Sequence, residues 1–115
     1  MLKNCIFCKI VKNELLSQKV YEDESVFAFK DINPQAPVHV IIIPKKHITS
    51  LSVISVENEK VLGHIQVTVS RIAKQFSELK NGFRLINNCG VEGGQTVLHL
   101  HYHLLGGRSF RWPPG

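Results

Sequence analysis

The sequence has no long apolar run. Its densest stretch, Val38 to Ile43, is interrupted by His39 and closed by Pro44, well short of the roughly 20 residues a membrane span needs. Met1-Leu2-Lys3-Asn4-Cys5 lacks the apolar core of a secretory signal, which gives the expectation of a cytoplasmic protein. Cysteine is scarce and odd in number, three in 115 residues; without a secretion signal, that argues against a disulfide framework. Acidic residues are few, 9 against 14 Lys and Arg, for a formal charge of +5. The basic residues are scattered, the tightest group being Lys45-Lys46 beside His47, and no basic stripe interleaves with aromatics. Nucleic acid is therefore not an expected partner, whereas a phosphate-bearing small molecule suits the balance. Repeats, low-complexity tracts and linkers are also missing. With 43% hydrophobic and 20% charged residues, the composition is globular, and the length fits one domain over 1–115.

What is present reads as an α+β pattern. Ile6 to Leu16 carries apolar residues at 6, 7, 10 and 11, which suits a short helix or turn over a core. Val20 to Glu22 and Val26 to Phe29 flank Asp23-Glu24-Ser25 as a hairpin, and Asn33-Pro34-Gln35-Ala36-Pro37 is a turn. Val38 to Ile43 follows as a β-branched central strand stopped by Pro44. Ser55 is a plausible cap for one long helix, with Val61, Leu62, Ile65, Val69, Ile72, Ala73, Phe76 and Leu79 as its apolar stripe and Asn81-Gly82 as its end. Phe83 to Asn87 and Val97 to Leu105 complete an antiparallel sheet.

Six histidines need explaining: His39, His47, His64, His99, His101 and His103. Alternation in a strand would put His99, His101 and His103 on one face, roughly 6.5–7 Å apart, and Leu98, Leu100, Tyr102 and Leu104 on the core face. A solvated, histidine-rich face is the bland reading, and it fits one isolated histidine better than three on alternate positions. Metal ligation and nucleophilic or acid–base catalysis remain, since imidazole titrates near neutrality and its second nitrogen can be fixed by a partner. The loop Gly90 to Thr96 adds glycines that let backbone N–H groups approach an anion, with Gln95 and Thr96 as side-chain donors. Cys5 and Cys8 form a C-x-x-C pair, readable as a redox dithiol, as half of a metal site, or as two free thiols. Cys89 reads as an inert thiol, His64 as a surface residue, and Lys45 and Lys46 as solvated.

His99-Leu100-His101-Tyr102-His103-Leu104-Leu105 resembles the H-φ-H-φ-H-φ-φ signature of the histidine triad (HIT) superfamily. Cys5-Ile6-Phe7-Cys8-Lys9-Ile10, Asp31 to Pro37, Ile43 to His47, Gly93-Gly94-Gln95 and the ending Trp112-Pro113-Pro114-Gly115 resemble its Hint branch, so the likeness spans nearly the whole chain. The resemblance implies a HIT-like fold: a five-stranded antiparallel sheet, one long helix and a short N-terminal helix, with two sheets joined across a homodimer. It implies hydrolysis of purine nucleoside phosphoramidates to a nucleoside monophosphate and an amine through a nucleotidyl-histidine, with no catalytic metal. His101 is then the nucleophile, His103 contacts the phosphate oxygens, and Thr96 offers a hydroxyl near the leaving nitrogen where many relatives carry serine. His39 and His99 complete the histidine set. Asn88, Gly94 and Gln95 line the phosphate side, and Asp31 accepts from the ribose hydroxyls; taken alone, Asp31 reads as a turn-starting residue. Ile6, Phe7, Ile10, Phe29 and Ile32 correspond to an apolar pocket for the base, although without the likeness all five read as core.

The resemblance also bears on the C-x-x-C pair. In some members zinc is held by this pair, the histidine after Pro-Lys-Lys and the first triad histidine, here Cys5, Cys8, His47 and His99. That is a Cys2His2 set for a structural ion. Two other functions use the same face: hydrolysis of dinucleoside polyphosphates, and nucleotide binding by a regulatory protein with incidental catalysis.

Overall fold

Strand-period alternation produces a sheet with two apolar faces. Along Val26–Lys30 (β2), Val26 and Ala28 join one apolar cluster while Phe27 and Phe29 join another. Val38–Pro44 (β3) repeats the pattern, with Val38, Val40 and Ile42 on the first side and Ile41 and Ile43 on the second; all seven of its residues are buried. The structure, a computed structural model, describes residues 4–115. Met1 to Lys3, on which part of the reading of the N-terminus rests, lie outside the described residues.

Lys19–Glu22 (β1), Phe83–Asn87 (β4) and Tyr102–Gly106 (β5) complete one antiparallel sheet in the order β1-β2-β3-β5-β4. A short helix, Ile6–Val11 (α1), supplies Phe7, Cys8 and Ile10 to the cluster on one face. The long helix, Glu59–Ala73 (α2), supplies Ile65, Val69, Ile72 and Ala73 to the other. This is the α+β architecture expected from the sequence, with β3 at the centre because a β-branched run can be buried on both sides. Among the described residues no helix is long and apolar enough to cross a membrane.

Two elements depart from expectation. The helix anticipated from Ser55 to Asn81-Gly82 is broken into pieces. Ser55 N–H donates to Asn58 Oδ1 at 3.0 Å and opens a single 3-10 turn, Val56–Asn58, that leads into α2. After Ala73 the chain straightens at Phe76 (φ −118°, ψ 114°) before a second 3-10 turn, Ser77–Leu79. The cause lies in packing: Leu79 is buried against Gly106 of β5, where a Cβ would collide with Leu79 Cδ2. Seating Leu79 there outweighs continuing the helix.

The last strand is also shorter than Val97 to Leu105. Tyr102 opposes Ile42, so extending the strand backwards would require pairing near Pro44, which has no N–H to give. Leu100 N–H instead donates to Ile48 O at 2.6 Å. Leu98, expected on the core face, is 62% exposed, whereas Leu100, Tyr102 and Leu104 are buried.

Candidate active site

The histidines other than His64 lie on the α1 side of the sheet. His39 comes from β3 and His103 from β5, while His99 and His101 sit in the irregular segment just before β5. They do not form an even row. Phe7 of α1 packs edge-on against His99, His101 and Phe29, with ring centroids 5.9, 5.1 and 5.5 Å away. Phe7 therefore separates two groups: His99 with His47 (4.8 Å), and His101 with His103 and His39 (5.1 Å for each successive pair).

Hydrogen-bond partners fix which ring nitrogens carry protons. His101 Nδ1 lies 2.7 Å from His99 O. A carbonyl only accepts, so Nδ1 bears the hydrogen and Nε2 keeps its lone pair. Gln35 N–H donates to His39 Nδ1 at 3.1 Å, leaving the hydrogen of that ring on Nε2. There it faces His103 Nδ1 at 2.8 Å and Asp31 Oδ2 at 3.3 Å. His103 accepts at Nδ1 and so presents Nε2–H. The site thus offers one bare nitrogen on His101 beside one N–H donor on His103.

Burial keeps these rings neutral, because it disfavours the charged form. It pulls His103 down to about 4, aided by neighbouring His101 and His39 against the opposing effect of Asp31. Burial lowers His101 as well, resisted by its bond to the His99 carbonyl and by Asp31. For His39, burial outweighs the pull of the Asp31 charge.

The second group is Cys5, Cys8, His47 and His99, whose ligand atoms all lie within 4.8 Å of one another. His99 Nε2–H donates to Pro44 O at 2.8 Å, so Nδ1 is the free nitrogen. It stands 3.3 Å from Cys5 Sγ and 3.6 Å from Cys8 Sγ, while His47 Nδ1 is 3.4 Å from Cys8 Sγ. Tetrahedral zinc with Zn–S of about 2.3 Å and Zn–N of about 2.0 Å sets sulfur and nitrogen about 3.5 Å apart. The set therefore has the dimensions and donor chemistry of a zinc centre. Burial pushes the Cys5 thiol above its ordinary value and lowers His99 to about 4. Asp31, His39 and His103 also bring three potential ligand atoms together. There, however, His39 Nε2 carries the hydrogen and has no lone pair to give a cation.

The remaining residues singled out from the sequence divide. Phe7, Ile10 and Phe29 are buried. Ile6 is 46% exposed and Ile32 fully exposed, so the reading of those two as core does not hold. Asp31 does both things considered for it: Oδ1 accepts from Asn33 N–H at 2.8 Å to close the turn, and Oδ2 faces His39. Gln95 spends its amide on backbone, donating to Val97 O and to Thr49 O of the segment after β3 and accepting from Gly90 N–H. Gly94 takes a left-handed φ of 80° in that loop. Thr96 is exposed and lines a small cleft with Cys5, Ile6, His47, Val97 and Leu98, and Asn88 is half-buried. No described hydrogen bond joins Thr96 or Asn88 to the histidines.

Sequence reasoning missed several supports. Asn87 Nδ2 donates to His101 O at 2.9 Å and steadies the segment before β5. His64 is not a free surface residue, since its Nε2 lies 2.6 Å from Asp23 Oδ2. Tyr21 O–H donates to the same oxygen at 2.6 Å, and Ser25 and Val26 N–H donate to Asp23 Oδ1 at 2.9 Å each. Hairpin patterning does place Asp23 at a turn, but nothing in it indicates that α2 lays His64 over that turn.

Comparison with known proteins follows the same lines. The family model described as HIT domain matches residues 12–110. A 14 kDa zinc-binding protein of Zea mays is 48% identical over 112 residues, covering 96% of this chain and 87% of that protein. The crystal structure of a HIT family hydrolase from Legionella pneumophila superposes with a TM-score of 0.94 at 44% identity, covering 97% of this chain and all of that one. A HIT family hydrolase from Clostridium thermocellum gives a TM-score of 0.93 at 53% identity, with 96% of each chain covered.

Proposed function

The chain belongs to the HIT domain family, and we propose from that premise that it hydrolyses purine nucleoside 5′-phosphoramidates to nucleoside monophosphate and amine. The observation that carries this reading is the bond from His101 Nδ1–H to His99 O, which leaves Nε2 as an unprotonated nucleophile. The identity of the similar Legionella and Clostridium proteins as HIT family hydrolases supports the reaction type.

In the proposed reaction His101 Nε2 attacks the α-phosphorus, and the P–N bond to the amine breaks as the N–P bond to His101 forms. The amine departs with the electron pair of the broken bond and gains a proton from solvent through the Thr96 hydroxyl, without which nitrogen leaves poorly. His103 Nε2–H donates to a phosphoryl oxygen where charge accumulates. The imidazolium formed at His101 keeps its Nδ1–H on the His99 carbonyl, which stabilises the positive charge. Water then attacks phosphorus and gives up a proton to solvent, the bond from phosphorus to His101 breaks with the lone pair returning to Nε2, and the nucleoside monophosphate is released. Asp31 accepts from the ribose hydroxyls, and the base lies against the apolar surface of Phe7, Ile10 and Phe29 with exposed Ile6 and Ile32 at its edge. Asn88 and the Gly94-Gln95 backbone complete the phosphate side. The working unit is a homodimer.

Zinc held by Cys5, Cys8, His47 and His99 pins the start of α1 to the segment before β5, as a structural ion that takes no part in the chemistry. The zinc-binding description of the Zea mays relative supports that assignment. The test of the reaction is AMP release from adenosine 5′-monophosphoramidate by wild type and His101→Ala, with a diadenosine polyphosphate alongside. Release that is strong with the phosphoramidate and abolished by the substitution is the expected result. Turnover confined to the polyphosphate, or tight AMP binding without turnover, would move the assignment to a polyphosphate hydrolase or a nucleotide-binding regulator.

A further inference from the structure

The chain after β5 folds back onto the turn that precedes β3. Gly107, in a left-handed conformation (φ 90°), lets the chain pass close to Pro37. Arg108 then grips Gln35 O from two nitrogens, Nε at 3.2 Å and Nη2 at 3.1 Å. Its third contact, Nη1 to Ser109 O at 3.1 Å, and the Phe110 ring 4.3 Å from the guanidinium hold the side chain in place. Arg84 braces the other end of the tail, donating to Arg111 O at 3.0 Å and standing 5.1 Å from the same ring. On its inner side, Gln35 supplies the N–H that occupies His39 Nδ1.

We propose that Arg108 is a positioning residue: by holding Gln35, it keeps the Gln35 N–H on His39 Nδ1 and so fixes His39, and through it His103, as rings protonated at Nε2 alone. The proposal deepens the functional reading above and rests on it only for its kinetic consequence.

Two influences compete over the protonation of His39. Asp31 Oδ2, 3.3 Å from His39 Nε2, favours a doubly protonated His39. Against it stands an N–H aimed at Nδ1, because a nitrogen already accepting a hydrogen bond cannot also take a proton. If the Gln35 N–H swings away, Nδ1 opens, His39 gains a proton beside Asp31, and the single-donor chain into His103 Nδ1 is replaced by a cation facing that ring. The titratable groups facing His39 are Asp31 and His103, with His101 one ring further; Lys30 and Glu78 line the cleft beyond β3. A two-pronged grip suits this task, since a planar guanidinium restricts rotation of its acceptor more than a single donor would.

The experiment uses long-range proton–nitrogen correlation spectra of the histidine rings in the full chain, without substrate. Wild type is expected to show His39 and His103 with bare Nδ1 and protonated Nε2. Arg108→Ala, with its backbone amide spectrum checked for an intact fold, is expected to move His39 toward double protonation at the same pH. Gln35→Pro, which removes the N–H together with the side-chain bond to Asn33 O, should reproduce the change; Gln35→Ala, which loses the same side-chain bond but keeps the N–H, should not. Ring signals that stay at wild-type positions in Arg108→Ala would overturn the proposal, and that variant decides the matter if Gln35→Pro fails to fold. With a phosphoramidate substrate, Arg108→Ala should lower kcat on the order of 10- to 100-fold with little change in KM, the scale of losing catalytic alignment. Wild type that turns over no phosphoramidate while the ring signals still respond to Arg108→Ala would reject the functional reading and leave the positioning role standing.

Discussion

His99 and His101 stand two residues apart in the same irregular segment, and both are almost completely buried, at 0% and 3% exposure. Each donates one ring N–H to a backbone carbonyl. His99 gives Nε2–H to Pro44 O and turns Nδ1 toward two sulfurs; His101 gives Nδ1–H to His99 O and keeps Nε2 bare. One ring is thereby suited to a metal and the other to an electrophile, although residue type, burial and neighbourhood are nearly the same. The acceptor on the far nitrogen assigns the task. That acceptor is in turn a consequence of where β5 begins, since a strand running through residue 99 would not leave these carbonyls to side chains.

The largest expected effects come from breaking each half separately. His101→Ala should cut phosphoramidate turnover by at least about 10³-fold, the scale on which loss of a nucleophile counts. Its metal content should stay near wild type. Metal lost together with activity in that variant, seen by elemental analysis, would show that the two groups are not separable. Cys8→Ser attacks the other half. An ion held at a free concentration a thousandfold above its Kd contributes about 4 kcal/mol, which in a domain of this size moves Tm by more than about 10 °C. Calorimetry should show that loss for Cys8→Ser and for chelated wild type alike, with turnover at low temperature retained.

The triad histidines were visible because they alternate along one short segment, and Cys5 and Cys8 because they form a C-x-x-C pair; the grouping of that pair with His47 and His99 came only from the resemblance to the family. Strand alternation put the triad histidines on one face, and all of β2, β3 and β4 lie where patterning placed them. Alternation alone could not separate the proposed ligand His99 from the proposed nucleophile His101, which only the resemblance distinguished. In the structure they differ in their bonds to Pro44 O and His99 O, and backbone carbonyls leave no trace in residue type. The broken helix was hidden for a similar reason. The apolar stripe through Phe76 and Leu79 is helical in period, but Leu79 meets Gly106, 27 positions later in the chain. Arg108 and Gln35 were invisible as a pair because a side chain gripping a distant carbonyl follows no periodicity.

His64 extends the comparison to a histidine whose partner is a carboxylate. Burial alone would raise Asp23, but hydrogen bonds from Tyr21, His64 and the Ser25 and Val26 amides hold it far below the usual carboxylate range. A depressed carboxylate contributes stability above its unfolded value of about 4 and loses it as pH falls below that point. A buried neutral histidine behaves differently. His103, at about 4 when folded, binds its proton in the unfolded chain first, near 6.5. Stability from that ring is complete above pH 6.5 and declines as pH drops toward 4. Acid unfolding should therefore have two limbs. His103→Asn should make the upper one shallower, since buried His39, His99 and His101 share it. Asp23→Asn should flatten the lower one at a cost of about 1–2 kcal/mol at neutral pH. Denaturant midpoints measured from pH 3 to 8 check both, and a lower limb that survives Asp23→Asn would refute its origin in that turn.

Thr96 tests whether the two halves stay independent at their border, because it lines the cleft that also holds Cys5 and His47 while the proposed reaction uses its hydroxyl. Thr96→Ser removes one exposed methyl and keeps the oxygen. Stability should change by less than about 0.5 kcal/mol, as for surface substitutions in general, and metal content should not change. The wider rotamer freedom of serine lets the hydroxyl follow different departing amines. Rates with bulky and small amine leaving groups should therefore shift relative to each other by no more than about threefold, less than 1 kcal/mol of transition-state energy. Measured competition between the two substrates decides it. A loss of turnover approaching that of His101→Ala would mean that the methyl itself holds the loop from Gly90 to Thr96 in place. The border would then belong to the scaffold on the metal side rather than to the chemistry on the other.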